Sequence, residues 1–171
     1  MRHPQIKPVR DLKFENLTFS FEDATQSIFE NITFEMPKSR AVWVRSPGGR
    51  GKSTLLRLLA GLIAPQRGSY FINGQDVSQM SFEDFLPYRL GMGYGFDFGG
   101  LINNKSLAEN LILPLMYHKL TGKAEAMERV EHALNLFALD QNKDSRPSAV
   151  PGSQRKMTIV VRAFINWPQV V

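Results

Sequence analysis

The feature that most constrains this fold is a glycine-rich turn between an apolar run and a helix. The run AVWVR at residues 41–45 has one polar residue and two β-branched ones, a composition that predicts a strand buried on both faces, as in a parallel sheet. The turn SPGGRG follows at residues 46–51, and KST at 52–54 opens a helix whose leucines continue to residue 62. Strand, glycine loop, Lys-Ser and helix in this order predict a phosphate-binding loop.

Each part of this loop has a physical reason. Glycines let consecutive backbone N–H groups point at phosphate oxygens without a Cβ in the way. The start of the helix adds unpaired N–H donors and the positive end of the helix dipole. We expect Lys52 to reach the β- and γ-phosphates and the Ser53 hydroxyl to bind Mg²⁺, with Thr54 near the α-phosphate.

The loop departs from the strict phosphate-binding pattern at one place, where Ser46 stands in the position of the first glycine. A serine there is strained if its backbone φ is positive. The alternative interpretation is an ordinary strand-to-helix turn, which the extra glycines of the loop disfavour. The residues predicted to contact a nucleotide in the loop are Ser46, Pro47, Gly48, Gly49, Arg50, Gly51, Lys52, Ser53 and Thr54.

Composition limits the other classes of site. With 171 residues the chain is long enough for one domain with a proper core. The absence of Cys excludes disulfides and thiolate metal sites, and the three His residues are too scattered to form a ligand cluster. The net charge of +5 is not concentrated in a basic run, and we expect no nucleic-acid partner.

The pattern along the chain changes from strands to helices. Residues 1–10 are expected to be a flexible lead-in. Apolar alternation predicts an antiparallel pair of strands, the first with a phase slip between residues 14 and 17. Shorter strands are expected at 69–72, closed by an Asn-Gly turn, and at 90–96. Helical spacing then predicts helices at 107–116, interrupted by Pro114, at 123–139 and at 154–165, with Met127, Val130, Leu134 and Phe137 as core residues of the second.

Three stretches in order carry a resemblance to a known family. They are FENITFEMPKSRAVWVRSPGGRGKSTLLRLLAGLIAPQRGSYFINGQDV, LGMGYGFDFGGLINNKSLAENLILPL and RPSAVPGSQRKMTIVVRAFINWP. From about residue 12 to its last residue, the chain resembles the nucleotide-binding domain of ABC-transporter ATPases. The part GLINNKSLAENLILPL looks most like importers linked to lipid transport and solvent resistance.

The resemblance implies an α/β fold: a P-loop NTPase core with an N-terminal antiparallel β subdomain and an α-helical subdomain, forming an incomplete ABC ATPase fold. The nucleotide-binding domain would span 11–171, with the core at about 11–96 and the helical subdomain at about 97–155. The start of the Walker B strand would lie at 168–171.

The resemblance also assigns residues outside the loop. Phe21 falls where the family stacks an aromatic ring on adenine. Asp97 stands where the family has the Q-loop glutamine, and an aspartate there is a candidate ligand for Mg²⁺ together with Ser53. Gly152, Ser153 and Gln154 match the signature that contacts ATP held by the opposite subunit. Pro151 replaces the signature serine and has neither a hydroxyl nor an N–H.

The resemblance leaves two alternative functions. The first is the ATP-binding subunit of an ABC transporter, which binds ATP and Mg²⁺, pairs with a second ATP-binding domain and drives a transmembrane permease from the cytoplasmic face of the cell membrane. The second is a degenerate, non-hydrolysing nucleotide-binding or regulatory module, because the Walker B Asp and Glu and the switch His of the family are not in this chain. We expect the chain to be either a fragment of a longer product or degenerate. A P-loop kinase or other NTPase explains only residues 41–62.

Overall fold

The computed structural model describes residues 5–22, 26–97 and 99–171, which form two compact units. One unit spans residues 8–89, and the other spans 90–171 together with the described residues 5–7. The first contains β1 (Leu12–Phe19), β2 (Phe29–Glu35), α1 (Lys52–Leu59), β3 (Arg67–Ile72), β4 (Gln75–Asp76) and α2 (Phe82–Arg89). The second contains α3 (Leu107–Tyr117), α4 (Lys123–Leu136) and α5 (Gly152–Phe164).

The sheet of the first unit is antiparallel throughout, in the order β2-β1-β3-β4. Its central strand β1 buries Leu12, Phe14, Leu17 and Phe19. The register shifts between Phe14 and Leu17, where Asn16 adopts a φ of 52°. This extra residue moves the buried side chains from even to odd positions, and it confirms the phase slip that the sequence predicts.

A tight turn after β3 holds the segment that leads into β1. Asn73 and Gly74 both have positive φ, at 52° and 76°, as a two-residue hairpin loop requires. The Asn73 side chain accepts the backbone N–H of Arg10 at 2.8 Å and donates to the carbonyl of Pro8 at 2.7 Å. The end of the expected lead-in is therefore hydrogen-bonded to this turn.

The prediction of a strand at residues 41–45 is wrong. These residues pair with no strand in the described part of the chain, and Val42 and Trp43 are 44% and 82% exposed. A parallel strand is held by hydrogen bonds to neighbours on both sides. The sheet that forms in this unit is antiparallel and does not include them.

The core of the second unit lies between its three helices. Pro114 lies inside α3 without ending it, so the predicted interruption does not occur. Val130 and Leu134 of α4 are buried as predicted, whereas Met127 is 55% exposed and Phe137 is 39% exposed. Ala126 and Ala133 are buried beside them, and Phe137 lies just beyond the last residue of α4. The buried cluster is Leu107, Leu111, Leu115, Ala126, Val130, Ala133, Leu134, Leu139, Val150, Val161 and Ile165.

The predicted strand at 90–96 reduces to a single parallel bridge between Met92 and Val170. The N–H of Gly93 donates to the Val170 carbonyl at 2.8 Å, and the N–H of Gln169 donates to Gly91 at 2.9 Å. A Cβ on Gly93 would lie 2.0 Å from the Ala163 carbonyl oxygen, so α5 passes directly over this bridge. Among the described residues, no helix is long and apolar enough to cross a membrane.

Candidate functional site

The glycine loop leads directly into α1, as the sequence predicts. Gly49 and Gly51 adopt φ values of 74° and 81°, which are the left-handed conformations that glycine favours. Gly51 precedes the first residue of α1, and no side chain caps the helix there. The N–H groups of the first helical turn are therefore free to meet an anion from outside the chain.

Gly51 is also the point where the loop touches the sheet. A Cβ placed on it would lie 2.3 Å from Cγ2 of Ile28 and 2.9 Å from Cζ of Phe29. Gly48, in contrast, has no atom within 4 Å of such a Cβ and no positive φ. Gly51 therefore accounts for the close approach of the loop to β2.

Ser46 does not adopt a positive φ. The backbone strain that a serine would suffer in a left-handed conformation therefore does not arise at this position.

The ammonium of Lys52 turns back onto the loop. Its Nζ donates to the carbonyl of Ser46 at 3.1 Å, to the carbonyl of Pro47 at 3.3 Å and to Oγ of Ser46 at 3.4 Å. No carboxylate pairs with Lys52 within the described ranges. The charge is held only by neutral oxygens, which an anionic ligand could displace.

An open cavity of about 590 Å³ adjoins this lysine. The guanidinium of Arg45 lies 5.0 Å from the ring centroid of Trp43 and adds a second positive charge. Two cations beside a glycine loop suit an anionic ligand. The lining residues are Trp43, Val44, Arg45, Ser46, Pro47 and Lys52.

The two hydroxyl residues after Lys52 differ in exposure. Ser53 is exposed at the start of α1, so its hydroxyl is open to a ligand, whereas Thr54 is buried. The far end of α1 is fixed by Tyr70 of β3, whose hydroxyl donates to the Leu59 carbonyl at 2.5 Å. Burial raises the pKa of the Tyr70 phenol, so it remains a donor at any ordinary pH.

Phe21 lies in the same unit as the loop, just after β1. Its ring is 46% exposed and meets Phe19 edge-on, with centroids 5.2 Å apart. The exposed part of the ring is accessible to a ligand. The assignment of Phe21 to adenine stays a prediction.

Asp97 and the signature residues belong to the second unit. Asp97 is exposed and follows Tyr94 and Phe96, whose rings are in edge-on contact at 4.7 Å. Among the described residues, no cluster of three acidic or His side chains could hold a metal ion. Of the residues predicted to contact a nucleotide, Ser46, Pro47 and Lys52 line the cavity, and Asp97 belongs to the other unit.

The signature region begins α5. Pro151 precedes the helix with a φ of −55°, and Gly152 and Ser153 are exposed in its first turn. No side chain caps this end. Gln154 is half-buried, and its side-chain carbonyl accepts from Asn142 at 3.1 Å. Proline at this position costs no intrahelical hydrogen bond, because the N–H of a residue that begins a helix has no partner there.

Sequence reasoning missed the residue that holds the loop at residues 102–106. Asn110 of α3 is fully buried, and its side-chain oxygen accepts the N–H of Ile102 at 2.7 Å. Its side-chain nitrogen reaches the carbonyls of Ile102, Lys105 and Ser106 at 2.8–3.3 Å. The available signal was an asparagine directly before the apolar run LILPL at residues 111–115.

We expect Asn110→Ala to lower the free energy of unfolding by about 2–3 kcal/mol, because the chain would lose the hydrogen bonds that the buried Asn110 side chain makes to Ile102, Lys105 and Ser106. Urea unfolding followed by circular dichroism measures the change. Asn104→Ala, at an exposed position of the same loop, is the matched control and should change stability by less than about 0.5 kcal/mol. Equal stability of the two variants would show that Asn110 does not hold the loop.

Comparisons with known proteins agree with this geometry. A family model described as "ABC transporter" matches residues 29–171. The chain is 32% identical over 163 residues to the lipoprotein-releasing system ATP-binding protein LolD of Buchnera aphidicola, covering 94% of this chain and 71% of that protein. It is 29% identical over 162 residues to the methionine import ATP-binding protein MetN of Histophilus somni, covering 94% and 47%.

Solved structures show the same fold. A dimeric ATP-binding cassette, MJ0796, in a post-hydrolysis state with ADP and Pi, matches with a TM-score of 0.82 at 23% identity, over 92% of this chain and 70% of that one. An ATP-binding subunit of an ABC transporter matches with a TM-score of 0.76 at 27% identity, over 92% and 62%. The predicted α/β fold of a P-loop NTPase is confirmed. The chain spans about half the length of the methionine-import relative.

Proposed function

Because this chain belongs to the ABC transporter family, we propose that it binds ATP as the nucleotide-binding part of a transporter subunit. The observation that carries the proposal is the loop itself: Gly49 and Gly51 in left-handed conformations, an uncapped α1, and Lys52 held only by neutral oxygens. These features together suit a chain of phosphates.

Different groups of the loop would bind different parts of the nucleotide. The free N–H groups at the start of α1 would bind phosphate oxygens, and Lys52 would exchange loop carbonyls for the β- and γ-phosphates. The exposed Ser53 hydroxyl is a hard oxygen ligand of the kind that Mg²⁺ takes alongside phosphate. When bound, the metal neutralises charge on the phosphates. Phe21 would stack on the adenine through its exposed face.

The partners follow from the relatives. MJ0796 is a dimeric cassette, and we propose that the exposed start of α5, with Gly152 and Ser153, faces the nucleotide of a second ATP-binding domain. A transmembrane permease is the other partner, placing this chain at the inner face of the membrane. LolD belongs to a lipoprotein-releasing system by name, and this likeness favours a lipid-linked substrate.

One set of observations favours the second candidate, a nucleotide-binding module that does not hydrolyse ATP. Pro151 removes a hydroxyl and an N–H from the signature, and Asp97 places a negative charge where the family has a neutral glutamine. Both changes weaken contacts that act on the γ-phosphate, and they leave the adenine and the α- and β-phosphates untouched.

The test is calorimetric titration of the chain with ATP, with and without Mg²⁺. We expect micromolar binding that is tighter with Mg²⁺. Absence of binding by a folded chain would reject nucleotide binding. Binding with no phosphate release in the presence of the permease would favour the non-hydrolysing module.

A further inference from the structure

Ser46 takes part in a hydrogen-bonded arrangement that glycine could not make. Its hydroxyl donates to the Pro47 carbonyl at 3.1 Å, so its proton is committed to the loop backbone. Its lone pairs remain available, and Lys52 Nζ lies 3.4 Å from the same oxygen. A hydroxyl has one donor and two acceptor positions, and this one uses both functions within the loop.

The Lys52 ammonium is thereby saturated. It has three N–H donors, and the loop offers three acceptors: the Ser46 carbonyl, the Pro47 carbonyl and Oγ of Ser46. A phosphate oxygen that binds Lys52 must displace at least one of them. The backbone carbonyls are present whatever residue stands at 46, whereas the hydroxyl is peculiar to serine or threonine.

We propose that the hydroxyl of Ser46 competes with the phosphates for the ammonium of Lys52. This competition lowers the affinity of the loop for nucleotide. This inference rests on the proposed function. It assigns a specific effect to the one loop position that departs from the strict glycine pattern. The competition acts on any ligand that reaches Lys52 through a polyphosphate chain, and it is indifferent to the base.

The predicted result is tighter binding when the hydroxyl is removed. Ser46→Ala should bind ATP about 2- to 5-fold more tightly than the wild type, which is what loss of one weak competing hydrogen bond allows. Ser46→Thr keeps a hydroxyl and should therefore not bind ATP more tightly than the wild type. The same ratio should be found with inorganic tripolyphosphate, because the effect lies at Lys52 and does not involve adenine.

The test is calorimetric titration with ATP and with tripolyphosphate. The proteins compared are the wild type, Ser46→Ala, Ser46→Gly and Ser46→Thr, and a melting temperature for each confirms that it is folded. Ser46→Gly separates loss of the hydroxyl from loss of Cβ and should resemble Ser46→Ala. A purely structural role would weaken binding in the Ala and Gly variants, and that result would overturn the inference.

The two proposals fail in different ways. If all four proteins bind ATP with the same Kd, the competition by Ser46 is rejected while nucleotide binding stands. If none of the folded proteins binds ATP or tripolyphosphate, nucleotide binding is rejected, and the role of Ser46 is rejected with it. Tighter binding of ATP by Ser46→Ala without tighter binding of tripolyphosphate would also reject the role assigned to Lys52.

Discussion

Lys52→Ala should weaken ATP binding by a factor of about 100 or more, since two charge-assisted hydrogen bonds to phosphate contribute roughly 3 kcal/mol or more together. The cause is the removal of the ammonium that turns toward the loop and has no competing carboxylate. Calorimetric titration with ATP in the presence of Mg²⁺ measures the change. Stability should change little, because the present partners of Lys52 are carbonyls and a hydroxyl of a largely exposed loop.

The matched control is Lys38→Ala, which removes the same charge from an exposed position in the same unit. Lys38 is 61% exposed and lies 3.8 Å from Asp11, a surface pair of the kind that contributes little. Its loss should leave the Kd for ATP within about twofold of the wild type, since exposed charges are screened by salt. Similar affinities of the Lys38 and Lys52 variants would reject the loop as the binding site.

Gly51→Ala should lower the free energy of unfolding by about 2–5 kcal/mol. An alanine held at a φ of 81° costs about 1–2 kcal/mol, and its Cβ would overlap the side chains of Ile28 and Phe29, which adds about 1–3 kcal/mol. Because the overlap moves the start of α1, ATP binding should be lost as well. Urea unfolding and calorimetry measure the two effects.

The other glycines of the loop give a graded control for stability. A Cβ added at Gly49 would contact no atom, but the backbone φ there is 74°. Gly49→Ala should therefore lower the free energy of unfolding by about 1–2 kcal/mol. Gly48→Ala has neither problem and should leave stability unchanged or raise it by up to about 1 kcal/mol. Equal costs at 48 and 51 would show that the contact with Ile28 does not limit the loop.

Local patterns predicted the elements that local interactions fix. The slip in β1 was predicted from a change in alternation, and the turn at Asn73 and Gly74 from two residues that tolerate positive φ. The strand at 41–45 failed because its composition indicates what the segment would do between parallel neighbours, and pairing depends on other parts of a chain.

The prediction of the buried residues of α4 was partly wrong for a related reason. Apolar residues at spacings of three and four define a helix face only to within about one residue. Ala126 and Ala133 are too small to mark a face by hydrophobicity, yet they are the residues that let α4 pack closely. The choice between Met127 and Ala126 was made by packing against neighbouring elements.

The residues of the candidate site could be predicted from the sequence, whereas their contacts in the folded chain could not. Gly51, Lys52 and Ser53 were predicted from the order of residue types. The contact of Gly51 with Ile28 joins residues 23 positions apart, so nothing in the loop sequence indicates it. The Ser46 hydroxyl bonds depend on a backbone conformation that a single residue type does not specify.

The exposed indole of Trp43 gives the loop a built-in optical reporter. The chain has two tryptophans, and Trp43 lines the cavity beside Lys52 while Trp167 belongs to the other unit. A ligand entering the cavity replaces water around an indole that is 82% exposed and stacked by Arg45. Fluorescence of a chain in which Trp167 is phenylalanine would therefore follow occupancy of the loop directly, without a labelled nucleotide.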